Sequence, residues 1–539
     1  EYITTYSYGI LESFNLFIPK FMGGGSADTL PEDSATEEAL MRLGASPQDV
    51  NQILNQLPVY WGDQPIVAAP AYIGAVIIFL GLMALFLVKG RLKWWIVSAF
   101  ILSLLLSWGR NFEVLTQFFI DYVPLYSKFR AVSSIQVIIE MIMPILAIVG
   151  LHQIFNAFTP SEEKMKALTR SAIILGGLTL VFILFGGQLF EFGSLYDAQV
   201  REGLGNQVVE ALREDRATIL RADAIRSLIF LLIAAGLIWA YIREKLKENW
   251  VIAALAVVIL IDLVGVDRRY VNNDDFVNAR VMEQPFQKNG ADLQILQDEG
   301  HYRVYDATID AFNFGGTSFY HNSVGGYHAA KPQRMQDLNE FYLSKGDVGI
   351  LNMLNVKYII TRSKDGGPVA QRNPYANGNA WFVDSAILAE NADEEILLLD
   401  SLNTKRTAVI HREFADLLPV EEITRDSTAI IELTEHSPQR LVYEAKTNSP
   451  QLALFSEMYY PYGWKVSIDG QAAEHFRANY ALRAMTVPAG THKIAFEFEP
   501  EVIETGGTVA LVSSIIFLLL LIGGIGYRMR SETATEESS

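Results

Sequence analysis

Arg110, Lys128 and Arg130 are the residues best suited to phosphate chemistry. They flank a short apolar and aromatic segment, 112–125, on what the charge pattern makes the outer side of a membrane. An arginine fork offers a phosphate two parallel N–H groups, and a lysine offers a point charge. The competing reading is that all three snorkel to lipid headgroups. An extended KFR segment would point Lys128 and Arg130 the same way, whereas a helical one would separate them by roughly 200°. Glu140 interrupts the run VSSIQVIIEMIMPILAIVG near the middle of an expected span. An ionisable group there is costly and marks a functional site, unless it is a protonated carboxyl that packs helices together. Pro144, one turn on, is expected to kink the helix. Glu12 and Asp63, the latter following Trp61, combine carboxylate acceptors with an aromatic face, which suits a sugar. Loop capping is the alternative for both carboxylates.

A second polar group, Tyr327, His328, Lys331 and Arg334, follows a Gly-Gly turn. It suits an acceptor polymer or a phosphate, or else a turn leading into a helix. Its basic members repel a cation, and His321 and His328 lack a zinc-like spacing. Tyr459, Tyr460, Tyr462 and Trp464 would either bind a glycan or fill a core.

The elements that position these residues follow from composition. Half of the 539 residues are hydrophobic, 19% are charged and the formal net charge is -18. Apolar and acidic residues therefore occupy different segments. Seven runs approach the ~20 apolar residues that cross a bilayer: 70–88, 92–108, 131–150, 171–190, 225–242, 250–266 and 506–526. Lys and Arg concentrate in the links 89–93, 152–170 and 242–249 and after the last run, which places those links in the cytoplasm. Segment 1–69, the turn 109–130, the link 191–224 and the long stretch 267–505 then lie outside. The fold class expected is a multi-pass α-helical membrane protein with seven spans and an extracytoplasmic α/β plus β-sandwich region.

The expected domains are a 1–69 extracytoplasmic loop, a 70–266 bundle of six helices and a 267–405 α/β domain. A 406–505 β-sandwich, a 506–526 helix and a 527–539 cytoplasmic tail complete the chain. Residues 26–56 read as a mobile, solvated loop with short surface helices. Segment 191–224 reads as another loop, with an amphipathic helix near 198–220. Segment 112–125 is too short to span and reads as an interfacial or re-entrant helix. Alternating runs near 407–412, 428–434, 440–446, 451–457, 463–468, 481–487 and 491–498 give the sandwich. The opening at Glu1, outside the membrane and with no leader visible, leads us to expect a fragment of a longer membrane protein.

With no cysteine, disulfides, thiolate zinc sites, iron–sulfur clusters and cysteine nucleophiles are excluded. No Walker loop or dinucleotide fingerprint is present, so direct use of ATP or nucleotide sugars is not expected. No cofactor is evident, and a divalent metal is not indicated. No basic footprint suggests nucleic acid.

Several ordered segments carry a family resemblance: EYITTYSYGILESFNLFIPKFMGGGS, WGDQP (61–65), SWGRN (107–111), PLYSKFR (124–130), SVGGYHAAKPQRMQDL (323–338), LNMLNVKYII (351–360) and YYPYGWKVSIDG (459–470). Together they resemble the bacterial YfhO family of multi-pass membrane proteins, in a variety like that of Bacteroidetes. The resemblance implies a GT-C-like glycosyltransferase of the bacterial plasma membrane. Such an enzyme moves sugar from a polyprenyl-phosphate-linked donor to a cell-envelope glycan or polymer on the outer leaflet. It gives Arg110, Lys128 and Arg130 the donor phosphate. It also implies a catalytic carboxylate in a first outer loop, before Glu1. A non-catalytic, membrane-anchored glycan-binding or assembly module is the alternative, and a lipid-linked sugar transporter is the third.

Overall fold

The structure, a computed structural model, describes residues 2–31, 33–128, 130–328, 330–418 and 426–536. They form two compact units, Glu1–Val277 and Asn278–Ser539.

The first unit is helical. Its helices are α1 (Ala35–Arg42), α2 (Pro47–Leu54), α3 (Ala75–Leu87), α4 (Arg91–Ser107), α5 (Glu113–Tyr122), α6 (Gln136–Phe155), α7 (Ser161–Leu189), α8 (Asp197–Leu204), α9 (Asn206–Ile242) and α10 (Glu248–Asp267). Among the described residues, five helical stretches are long and apolar enough to cross a membrane: Val132–Phe155, Ser161–Leu189, Asn206–Ile242, Glu248–Asp267 and Glu501–Arg528. A sixth results if α4 and α5, bent by 115° at their junction, count as one broken span. Of the seven expected spans, 70–88 falls short. Pro70 and Gly74 delay the helix to Ala75, leaving 13 residues, about 20 Å at 1.5 Å per residue. Segment 112–125 does fold into a short helix, α5.

The bundle core is formed by Phe79, Met83, Ile139, Leu146, Phe182 and Leu231. Helices α3 and α6 approach so closely that a Cβ on Gly150 would stand 2.6 Å from the Ala84 Cβ. Outward-facing positions are apolar too: Met141, Ile148, Ile173, Leu184 and Leu260 are all at least 60% exposed. A bundle that is apolar on both faces is membrane-embedded. One end gathers the cations. Lys164 Nζ donates to the Asn156 carbonyl at 3.0 Å, Lys89 lies 4.0 Å from Glu163, and Arg170 lies over the Phe86 ring.

The other end is organised by α9, 37 residues long and so about 55 Å. Segment 191–224, expected as a loop with an amphipathic helix near 198–220, carries two helices there, α8 and the first turns of α9, and α9 continues unbroken into its apolar half. Nor is 26–56 a mobile loop. Leu30, Leu40, Val50, Leu54, Leu57 and Val59 pack on Val208 and Leu212 of α9. Asp215 then accepts from the Ala35 and Thr36 amides at 2.8 and 2.9 Å and from the Thr36 hydroxyl at 2.5 Å. These amides are first-turn donors of α1, which no carbonyl within the helix can satisfy. Asp223 accepts from the Lys20 amide and binds Arg269 through both oxygens, at 2.7 and 2.9 Å. Arg216, fully buried, reaches Asp197 and the carbonyls of Phe192 and Pro58. Arg226 pairs with Asp262 of α10 at 2.9 Å, and Asp262 in turn caps the Ala75 amide that starts α3.

Among its described residues the second unit carries three sheets. β1 (Arg303–Asp306), β2 (Val356–Arg362) and β3 (Pro368–Arg372) form a three-stranded sheet in that order. The remaining strands are β4 (Ala380–Phe382), β5 (Ser385–Ala389), β6 (Thr407–His411), β7 (Ile430–Ser437), β8 (Arg440–Thr447), β9 (Gln451–Met458), β10 (Trp464–Ile468), β11 (Gln471–Ala473), β12 (Phe476–Ala478), β13 (Leu482–Val487) and β14 (Gly490–Phe498). They form sheets β11-β10-β14-β8-β7 and β4-β9-β13-β12-β6-β5. Tyr443, Phe455, Met485, Val487, Ile494 and Phe496 fill the space between the two. All seven expected sandwich runs are strands. The expected division at 405 is not a structural seam, because β4 and β5 pair with β9 and β6. The short helices α11 (Ala279–Glu283), α12 (Gly290–Ile295), α13 (Gly316–Tyr320), α14 (Gln333–Phe341), α15 (Val348–Met353) and α16 (Ala392–Leu397) complete the α/β part. The last helix, α17 (Glu501–Glu536), buries none of its apolar window against the protein.

Asp215→Ala removes the acceptor for three donors. It should cost on the order of 3 kcal/mol and open 26–56 to protease, as read by thermal unfolding and limited proteolysis in detergent. In the sandwich, burial pushes His475 down to about 4. The neutral imidazole is native, so stability holds above the ordinary histidine range and falls as acid titrates only the unfolded chain. Between pH 6.5 and 4 the loss reaches about 3 kcal/mol. His475→Phe should flatten this slope in hydrogen exchange of β10–β13.

Candidate functional site

Three of the sequence segments singled out above converge at the end of the bundle opposite its basic end. The turn after α4 holds them together. The Ser107 carbonyl accepts from the Tyr8 amide at 2.9 Å, and Trp108 Nε1 donates to Ser13 Oγ at 2.8 Å. The Arg110 amide donates to Ser7 Oγ at 2.9 Å. Asn111 Nδ2 donates to the Tyr8 carbonyl at 3.0 Å and to Asp63 Oδ2 at 3.2 Å, and Arg110 Nη2 donates to the Asp63 carbonyl at 2.9 Å. Gly109 makes this possible. Its φ is +48°, and a Cβ there would lie 2.2 Å from Ser7 Oγ, so no other residue fits the turn.

Beside this knot lies a cavity of about 380 Å³, lined by Tyr8, Glu12, Asn15, Gln64, the 66–71 backbone stretch, Ser133, Ser134, Gln136 and Glu140. Two of the carboxylates singled out in the sequence thus share one cavity, though in different states. Glu12 is buried and engaged: it accepts from the Gly9 amide at 2.6 Å and from the Tyr60 hydroxyl, with Gln64 Nε2 at 3.5 Å. Burial pushes its carboxyl up from the ordinary carboxylate range, against the pull of those donors. Burial and the nearby Glu12 also push the Tyr60 and Tyr8 phenols upward, so both stay protonated donors. Glu140 is exposed to the cavity. It is not mid-span. The α-helix begins at Gln136 and runs on to Phe155, which puts Glu140 one turn in, and Pro144 has no N–H to return to the Glu140 carbonyl.

Two further cavity-lining side chains have buried polar ends. Tyr8 Oη and Gln136 Nε2 are buried and make no hydrogen bond of good geometry, although Asn15 and Gln136 lie near enough to act on the phenol. Buried orphan polar atoms are uncommon and point to an absent partner. The cavity therefore presents one available carboxylate among amide, hydroxyl and phenol side chains, with no cation in its lining. That set suits a polyhydroxylated ligand better than a bare anion.

The other residues singled out in the sequence are placed as follows. Asp63 and Arg110 sit beside the cavity in the knot described. Trp61 does not offer an open face; it is buried among Phe21, Phe190 and Phe192, with the Phe192 ring at 4.8 Å. Lys128 ends a one-turn 3₁₀ segment, Tyr126–Lys128, and it and Arg130 are exposed. Their common facing hinges on residue 129, outside the described residues. In the second unit the expected quartet disperses. Arg334 is drawn inward to buried Glu395 at 3.2 Å and to the Tyr480 carbonyl at 2.8 Å. Lys331 lies over the Phe312 ring at 4.6 Å, while Tyr327 and His328 are exposed. Of the four aromatics near 460, Tyr459 packs on His475 and Phe414, Trp464 lies under Arg483, and Tyr460 and Tyr462 face outward.

The sequence reading passed over Tyr8, Asn15, Gln64 and Gln136. Gln136 was findable, since it precedes Glu140 by four residues and so shares its face. The Arg226–Asp262 pair was findable too, because Asp262 breaks the run VVILIDLVGV. Among the described residues no group of three or more metal-ligating side chains converges. Comparison with family models, curated proteins and solved structures finds no match.

Glu12→Ala strands the Gly9 amide and Tyr60 hydroxyl and should cost roughly 2–4 kcal/mol, whereas Glu12→Gln should cost less and Glu140→Gln little, as compared by thermal unfolding in detergent. Because the Glu12 carboxyl is raised, its stabilisation belongs to the acid side. It is lost as pH rises through that raised value, and Glu12→Gln should abolish this part of the pH profile.

Proposed function

We propose that the chain is a membrane-embedded, GT-C-like glycosyltransferase, or the part of one, acting on a polyprenyl-phosphate-linked sugar. The observation that carries this reading is the cavity whose lining sets Tyr8, Asn15 and Gln136 beside the available carboxylate of Glu140 and holds no cation. It lies at the end of the bundle away from Lys89, Lys164 and Arg170, and so, by the charge rule, at the outer leaflet. In this reading the sugar fills the cavity, with its hydroxyls meeting Tyr8, Asn15 and Gln136. Glu140 takes the proton from an acceptor hydroxyl as that oxygen attacks the anomeric carbon. The bond from that carbon to the phosphate oxygen breaks, and the lipid phosphate leaves toward Arg110, Lys128 and Arg130. Glu12 is a positioning residue, since its oxygens already hold Gly9 and Tyr60. The same reading puts 267–505 outside the plasma membrane and counts α3 and the α4–α5 pair among seven membrane-entering segments.

A glycan-binding module is the second reading. It is favoured by a cavity of about 480 Å³ in the second unit, lined by Phe319, Tyr320, Asn322 and Glu299 among others. Phe319 is half exposed there.

In the full-length protein, Glu140→Gln and the Lys128→Ala/Arg130→Ala pair should each lower transfer from a polyprenyl-phosphate sugar at least about 100-fold, the order expected for a general base, with membrane insertion unchanged. Unchanged product in both variants would overturn the transferase reading, and glycan binding without transfer would favour the second. Protease added to sealed, right-side-out spheroplasts should cleave near Tyr327; protection until lysis would reverse the topology.

A further inference from the structure

The place where α17 leaves the sandwich is built rather than merely tethered. The Glu499 amide donates to the Gly463 carbonyl at 2.6 Å, which ties the β9–β10 loop to the end of β14. Gly463 has φ +92°, and a Cβ there would meet the Pro500 Cβ at 2.8 Å, so the loop closes on the helix start only with glycine. Trp464 packs on Phe498 at 5.1 Å, and Lys465 pairs with Glu499 at 2.8 Å. On this fixed loop Tyr460 and Tyr462 are 50% and 69% exposed, and Val502 and Ile503 in the first turn of α17 are 74% and 69% exposed.

Helix dimensions set the depth of these residues. The apolar run 506–526 spans roughly 31 Å at 1.5 Å per residue, the thickness of the hydrocarbon core. It ends at Tyr527 and Arg528, an interfacial pairing. From Gly506 back to Glu501 is about 7 Å, the depth of one interfacial layer. The start of α17, and with it the Tyr460–Gly463 loop, therefore falls in the headgroup layer, where tyrosine is enriched because its ring is apolar and its hydroxyl wet.

We propose that Tyr460, Tyr462, Val502 and Ile503 form a lipid-seating surface by which the sandwich rests in the headgroup layer of the bilayer. Seating is by partitioning of rings and side chains, not by charge. The adjoining cleft carries Glu499, Glu501 and Glu504 against Lys465, itself paired. An acidic surround gains nothing from anionic lipid. The inference needs only that α17 crosses the bilayer, and it is independent of any transferase activity.

The chain has no cysteine, so single cysteines can be spin-labelled cleanly. Full-length chain carrying Tyr462→Cys or Gln471→Cys would be placed in phosphatidylcholine nanodiscs, and nitroxide access to oxygen and to a water-soluble nickel chelate measured. Gln471 lies beyond the far end of β10, roughly 20 Å away along the strand and its turn. The label at 462 should favour oxygen over nickel at least about threefold more than the label at 471. Equal nickel access at both would overturn the proposal, as would a label at 462 that moves deeper when a third of the lipid is made phosphatidylglycerol. Should the label itself disturb the loop, Tyr460→Ser/Tyr462→Ser provides a second measure. Relative to the unsubstituted chain, hydrogen exchange of the 459–463 amides should rise in nanodiscs, with β13 unchanged. No rise would count against seating equally.

Discussion

The first unit depends on one row of charged side chains along α9. Asp215 and Arg216 are adjacent, Asp223 and Arg226 follow about two and three turns on, and each is committed to a different partner: the start of α1, the carbonyls at 58 and 192, the amide at 20 with Arg269, and Asp262 of α10. Buried ions are tolerable only when their hydrogen bonds are met. Here three of the four are met in part by backbone groups of the amino-terminal segment, at 20, 35, 36 and 58, and Arg226 by Asp262 of α10. The row supplies acceptors and donors to the segment, and the segment helps to satisfy the buried row. This reciprocity explains why an acidic, polar stretch such as 26–56 is held down by a small apolar patch around Leu40 and Val50 that would be too small alone.

The candidate site is a by-product of that arrangement. Once the amino-terminal segment is pinned, the sharp turn at Gly109 draws Ser7, Tyr8 and Asp63 together, and the first turns of α6 close the far wall. Polar side chains then collect at the end of the bundle opposite its basic end.

Legibility in the sequence followed locality. Apolar runs and alternating strands report on their own windows, so 131–150, 250–266 and the seven sandwich runs were readable. Boundaries set by distant partners were not. The start of α3 depends on Asp262, nearly 190 residues on, and the continuity of α9 depends on a segment that reads as loop when taken alone. For the site, Glu12 and Glu140 were visible as misplaced charges, yet nothing local joins them. Arg334 was a residue of the right type whose partner, Glu395, comes from another helix and removes it from chemistry. Trp61 failed for the same reason, since its neighbours Phe190 and Phe192 lie far along the chain.

Helix α9 outruns the layer it crosses. A rod of some 55 Å leaves roughly 25 Å standing clear of a 30 Å hydrocarbon slab, and the amino-terminal cap is riveted along that overhang. The rod has no proline, and its one glycine, Gly236, lies deep in the embedded half, so nothing along the overhang serves as a joint. Whatever shifts the cap must turn or tilt the embedded half with it, and the lipid around one end of the molecule is mechanically geared to the polar surface at the other.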